Sequence, residues 1–90
     1  MSQTKYFTEV SGQETLVEQR DLIIHNDDVN TFDFVIETLV DVCKHEYIQA
    51  VQCTHIIHNN GKCGVKRGSF EKLKPTCESL REKGLSATIE

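Results

Sequence analysis

Residues 21–39 read DLIIHNDDVNTFDFVIETL, and a change of pattern inside them decides the architecture. Leu22, Ile23 and Ile24 form a short apolar run of strand character. Phe32, Val35, Ile36, Leu39, Val40 and Cys43 instead recur at intervals of three and four, as one face of an α-helix does. Asn26, Asp27 and Asp28 lie between the two patterns. A strand over 21–25 therefore passes through a polar turn into a helix reaching about residue 44, and Asn30 with Asp33 has the spacing of a capping box at its start. One Asn or Asp, bonding a nearby backbone amide, would close such a turn. Two adjacent carboxylates repel each other, so a doubled acid beside an amide is better explained by a cation held there.

Toward the C-terminus, a second helix is expected from Glu46 to Asn59. Ile48, Ala50, Val51, Cys53 and Ile57 are its apolar positions, and Asn59, Asn60 and Gly61 its stop. Gly61 should take the left-handed conformation. KCGVKR, residues 62–67, is short and weakly strand-like. Gly68 and Ser69 introduce a third helix, in which Phe70, Leu73, Cys77 and Leu80 repeat at three and four. Pro75 within it predicts a kink or a late start, because proline removes a hydrogen bond and crowds the preceding turn. Gly84 ends this helix, and LSATIE at 85–90 makes a last strand. The order β-α-α-β-α-β predicts an α+β fold, a small three-stranded antiparallel sheet packed on three helices. Toward the N-terminus, residues 1–20 carry scattered apolar residues without period and read as a flexible tail, leaving 21–90 as the folded core.

Composition narrows the function. Ten Lys and Arg stand against fourteen Asp and Glu, a net charge of -4, whereas phosphate recognition needs a basic face, so no nucleic acid is expected as partner. No stretch approaches the roughly 20 apolar residues of a membrane span, and MSQTKYFTEV lacks the apolar core of a signal peptide, so a cytoplasmic protein is expected. Cys43, Cys53, Cys63 and Cys77 include no CxxC pair, and the first, second and fourth read as small core residues.

In CTHIIHNNG, residues 53–61, His55 and His58 stand three apart near a helix end, which places two imidazoles on neighbouring surface positions. The helix dipole alone favours histidine there. No zinc-ligand spacing accompanies them, so neither a metal nor another cofactor is expected. Cys63 and His58 could pair as nucleophile and base, but no orienting group or oxyanion motif can be named, and an enzyme is not expected.

HNDDVNTFDFVIETL, followed by Ala50, Val51 and Gln52 and then by IHNNGK at 57–62, resembles the ClpS family over about Leu22 to Glu90. These adaptors recognise destabilising N-terminal residues and hand their bearers to an AAA+ Clp unfoldase. The resemblance implies that Asn26, Asp27, Asp28 and His58 bind the free α-amino group of an N-degron peptide, with Asp28 favoured over Asp27 as the direct contact. It also implies a side-chain pocket walled by Ile24, Phe32, Val35, Thr54, Ile57 and Leu85. Lys72 would match a lysine that docks on the N-terminal domain of the unfoldase, and the chain would act as a monomer. Relatives often carry methionine at the positions of Phe32 and Thr54. An alternative of another class is an interaction module of the same build that docks a partner helix and has no amine pocket.

Overall fold

The computed structural model describes residues 17–90, so the tail expected over 1–20 falls outside the described residues as far as 16. Strand β1 spans Arg20–His25, helix α1 Phe32–Val42, helix α2 Tyr47–Asn60, strand β2 Lys62–Gly68, helix α3 Phe70–Glu82 and strand β3 Ser86–Ile89. The chain thus enters its first strand one residue before the expected boundary. The sheet has the order β2-β1-β3, and both neighbours run antiparallel to β1. The α+β fold read from the sequence is the observed one.

Strand β1 is central because it pairs with both other strands, and its residues alternate. Leu22 and Ile24 are fully buried against the helices, while their neighbours are half-exposed. The helices cover that face with Val35, Ile36 and Leu39 from α1, Ala50 and Ile57 from α2, and Leu73, Cys77 and Leu80 from α3. Leu85 and Ala87 close the far side. Cys43 and Cys77 belong to this core and Cys53 is half-buried.

Some local expectations are corrected. Thr31 caps α1, not Asn30: its hydroxyl accepts the N–H of Phe34 at 3.1 Å. Helix α1 ends at Val42, because Lys44 adopts a left-handed φ of 60°. His45 follows, buried, with Nε2 2.9 Å from the carbonyl of Val65. Ile48 is 67% exposed, so α2 turns only Ala50, Thr54 and Ile57 fully inward. Helix α3 starts at Phe70, capped by Ser69, and runs through Pro75; no late start occurs.

Strand β2 is stronger than its composition suggested. It pairs along all of β1, with a bulge where Leu22 faces Lys66 and Ile23 faces Gly64, leaving Val65 unmatched. Val65 is buried as a result, on a strand that otherwise shows charged residues to solvent.

Gly61 ends α2 with φ 96°, and its N–H bonds the carbonyl of Ile57 at 2.9 Å. An added Cβ would meet nothing within 4 Å, so only backbone strain opposes a side chain there. Gly61→Ala should therefore destabilise the fold by about 1–2 kcal/mol without changing its structure, as read by urea unfolding and circular dichroism.

Candidate ligand-binding site

The polar turn after β1 is held by its middle acid. Asp27 Oδ1 accepts the backbone N–H groups of Val29 and Asn30, each at 2.8 Å, and Oδ2 accepts the side-chain amide of Asn30 at 2.8 Å. The same Asn30 amide donates to the carbonyl of Gly84 at 2.9 Å, and the backbone N–H of Asn26 donates to the carbonyl of Gly61 at 2.8 Å. The turn is thereby tied to the end of α2 on one side and to the α3–β3 connection on the other. The Asn30 backbone N–H is the main cause holding the Asp27 carboxyl below its ordinary range, helped by the Asn30 side chain and Val29 and opposed by partial burial.

With Asp27 committed to the turn, the groups on either side are free. Among the described residues, neither the Asn26 amide nor the Asp28 carboxylate has a hydrogen-bonding side-chain partner, and both residues are exposed. Both line a cleft of about 280 Å³ whose other walls are Asp27, Asn30, Phe32, Val35, Thr54, Ile57 and His58. Val35 and Ile57 form an apolar floor. Thr54 is buried, and its hydroxyl donates to the Ala50 carbonyl at 2.7 Å, which leaves the methyl as the group free for the cleft. Phe32 stands half-buried at the wall, with its ring centroid 4.8 Å from that of His55 and 6.3 Å from that of His58, both edge-to-face.

Eight of the ten residues expected in the amine site and pocket line this one cleft: Asn26, Asp27, Asp28, His58, Phe32, Val35, Thr54 and Ile57. Ile24 and Leu85 lie in a small adjoining hollow bounded also by Val35 and Ile57, buried behind the cleft. Asn30 was read only as a helix cap, and its place in the wall was missed; its position next to the acids is the one cue the sequence offered. Lys72 lies elsewhere, in an open depression of about 790 Å³ lined also by Val17, Arg67 and Phe70.

Chemically the cleft sets polar acceptors above an apolar floor. Asn26 and Asp28 offer oxygen, His58 offers a ring nitrogen, and among the described lining residues there is no lysine or arginine. Such a site suits a cation carried on an apolar group. Nucleophilic chemistry fits poorly: Cys63 is outside the cleft, and burial together with the adjoining Cys53 thiol pushes its pKa up to about 11. Burial likewise pushes the Cys43 thiol up to about 11. No metal-binding group of three or more His, Cys, Asp or Glu occurs among the described residues. No helix among them is long and apolar enough to cross a membrane.

A family model described as "ATP-dependent Clp protease adaptor protein ClpS" matches residues 17–88. The chain belongs to the ClpS family. A ClpS adapter protein of Synechococcus elongatus is 30% identical over 83 residues, covering 91% of this chain and 87% of the relative. The chloroplastic Clp protease adapter CLPS1 of Chlamydomonas reinhardtii is 31% identical over 70 residues, 77% of this chain, and the match spans only 43% of that relative's length. The solved structure of Agrobacterium tumefaciens ClpS2 bound to L-phenylalaninamide superposes with a TM-score of 0.68 at 22% identity, covering 80% of this chain and 94% of that one, a likeness of fold. The ClpS family is one of protease adaptors, not of enzymes.

The Asp27 knot makes an acid-sensitive prediction. A carboxyl whose folded pKa is lowered contributes stability that is fully present above its unfolded value of about 3.9 and is lost as pH falls through the folded value. Asp27→Ala should cost roughly 1–3 kcal/mol at pH 7, where two backbone donors and an amide lose their acceptor. In urea titrations the gap between the two proteins should hold from about pH 7 to 5 and narrow below about pH 4.

Proposed function

We propose that the chain is an adaptor that binds the free N-terminus of polypeptides beginning with a large hydrophobic residue and delivers them, in the cytoplasm, to an AAA+ Clp unfoldase. The observation that carries this reading is the convergence of Asn26, Asp28 and His58 on one cleft whose floor is Val35 and Ile57. An α-amino group, with a pKa of about 7.7–8.0, is mostly an ammonium at neutral pH and presents three donors. The cleft meets it with two oxygen acceptors and a ring nitrogen, each charge-assisted bond contributing roughly 1.5–3 kcal/mol. An internal peptide amide is neutral and has one donor, so it leaves two of these acceptors without a partner. Asp27 orders the acceptors around it, and Asp28 is the carboxylate that reaches the ligand.

The first side chain then enters the apolar part of the same cleft, with Ile24 and Leu85 behind it. Burying it supplies roughly 1.5–3 kcal/mol more. A volume of about 280 Å³ admits one side chain with its amino group. The Agrobacterium relative was solved with L-phenylalaninamide, a free amine on an aromatic residue, which is the same ligand class. A helix-docking module of the same build would need none of these acceptors.

Delivery falls to other surfaces. Lys72 is exposed in the first turn of α3 beside Phe70, which is 49% exposed, and we assign it to docking on the N-terminal domain of the unfoldase. The tail expected over residues 1–20 supplies the segment that engages the unfoldase during transfer, the part that a flexible N-terminal extension takes in the family.

Acetylating a peptide that begins with Phe or Leu should abolish its binding, because the charge and two donors are lost; fluorescence anisotropy against the free peptide decides it, and equal affinities sink amine capture. Lys72→Glu and removal of residues 1–16 should each leave peptide affinity unchanged. Both should slow degradation of a reporter by the unfoldase and its protease, and undiminished delivery by either variant would remove that part from the mechanism.

A further inference from the structure

We infer that His55 sets which first residues the cleft accepts, by holding the ring of Phe32 in place. The inference rests on the reading of this cleft as the pocket for a first side chain. Phe32 is the first residue of α1, so no preceding helical turn packs against it, and it is only half-buried at the cleft wall. It packs at the edge of the core cluster, and its ring is met edge-on from α2. His55 meets it at a centroid distance of 4.8 Å with planes inclined by 66°, within the range of a stabilising edge-to-face pair. His58 also lies edge-on, at 6.3 Å and 79°, but it lines the cleft itself and is assigned above to the amine. His55 is exposed, is absent from the cleft wall, and among the described residues has no hydrogen-bond partner. Its ring contact with Phe32 is the specific interaction it makes.

Selectivity follows from a fixed ring. A ligand residue that branches at Cβ carries its extra carbon next to the α-amino group, and Phe32 shares the lining of the cleft with Asn26, Asp28 and His58, its ring 6.3 Å from that of His58. A clamped ring cannot swing aside for that carbon. Leu and Phe keep Cβ narrow and widen only further in, so they pass. The clamp also leaves Phe32 with less freedom to lose when an aromatic ligand packs on it, which favours that ligand. His55 is thus a positioning residue: it touches no ligand and acts through Phe32.

The test compares wild type, His55→Ala and His55→Phe in anisotropy competition with peptides beginning with Phe, Leu, Ile or Val, each free and acetylated. His55→Ala removes the edge-to-face pair, and His55→Phe keeps it. For His55→Ala we expect affinity for the Phe peptide to fall roughly three- to tenfold and the Leu-to-Ile preference to shrink roughly threefold. His55→Phe should restore both to within about twofold of wild type. Both substitutions are at an exposed position, and unchanged thermal midpoints will show that the fold is kept. If His55→Ala retains the wild-type ratios while acetylation still abolishes binding, the clamp is wrong and amine capture stands. If His55→Phe behaves like His55→Ala, the stacking is not the cause and the inference fails. If wild type binds acetylated peptides as well as free ones, amine capture itself fails and the clamp with it.

Discussion

The carboxylate of Asp27 holds the site together, because it is the acceptor on which the turn after β1 closes. Two backbone amides and the Asn30 side chain point at it, and Asn30 carries the tie onward to Gly84. Without that acceptor three donors in a partly buried loop would each need water. The loop also bonds Gly61 at the end of α2, so the acids and His58 are held in one frame set largely by backbone. The doubled acid in the sequence is a division of labour: the first builds the turn and leaves the second unpartnered at the cleft.

The apolar half of the cleft depends on the core in a different way. Val35 and Ile57 are buried residues of α1 and α2 that belong to the main cluster, and Ile24 of the central strand lies behind them. The floor is thus part of the packed interior and inherits its rigidity. Phe32 and Thr54 form walls of the cleft above that floor. Thr54 satisfies its own hydroxyl on the helix backbone and can serve as an apolar wall despite its polarity. Phe32 meets the rings of His55 and His58, one helix away, edge-to-face.

Much of this was legible in the sequence, and the gaps have physical causes. The strand, the turn and the first helix follow from a switch of period at residues 21–39, and the left-handed Gly61 from its place after two asparagines. Thr31 was overlooked as a cap because Asn30 is equally competent locally; only the tertiary bond from Asn30 to Gly84 decides between them. The second strand was undervalued since its pairing is non-local and its few apolar residues reach the core through a bulge. Pro75 overstated the break in α3, where Leu73, Cys77 and Leu80 are all buried and packing outweighs the lost hydrogen bond. The partnership of His55 with Phe32 could not be seen, because it joins different helices and leaves no periodic trace.

Strand β2 forms one border of the sheet, and a border strand presents unpaired backbone groups to any extended chain that comes near. That exposure is hazardous for a protein proposed to hold other polypeptides by their ends. The border here carries Lys62, Lys66 and Arg67, all exposed, and the bulge at Val65 breaks its regular spacing of donors and acceptors. Both features discourage strand addition. The same irregular, cationic strand that is hard to recognise in the sequence is thus a poor template for an incoming strand.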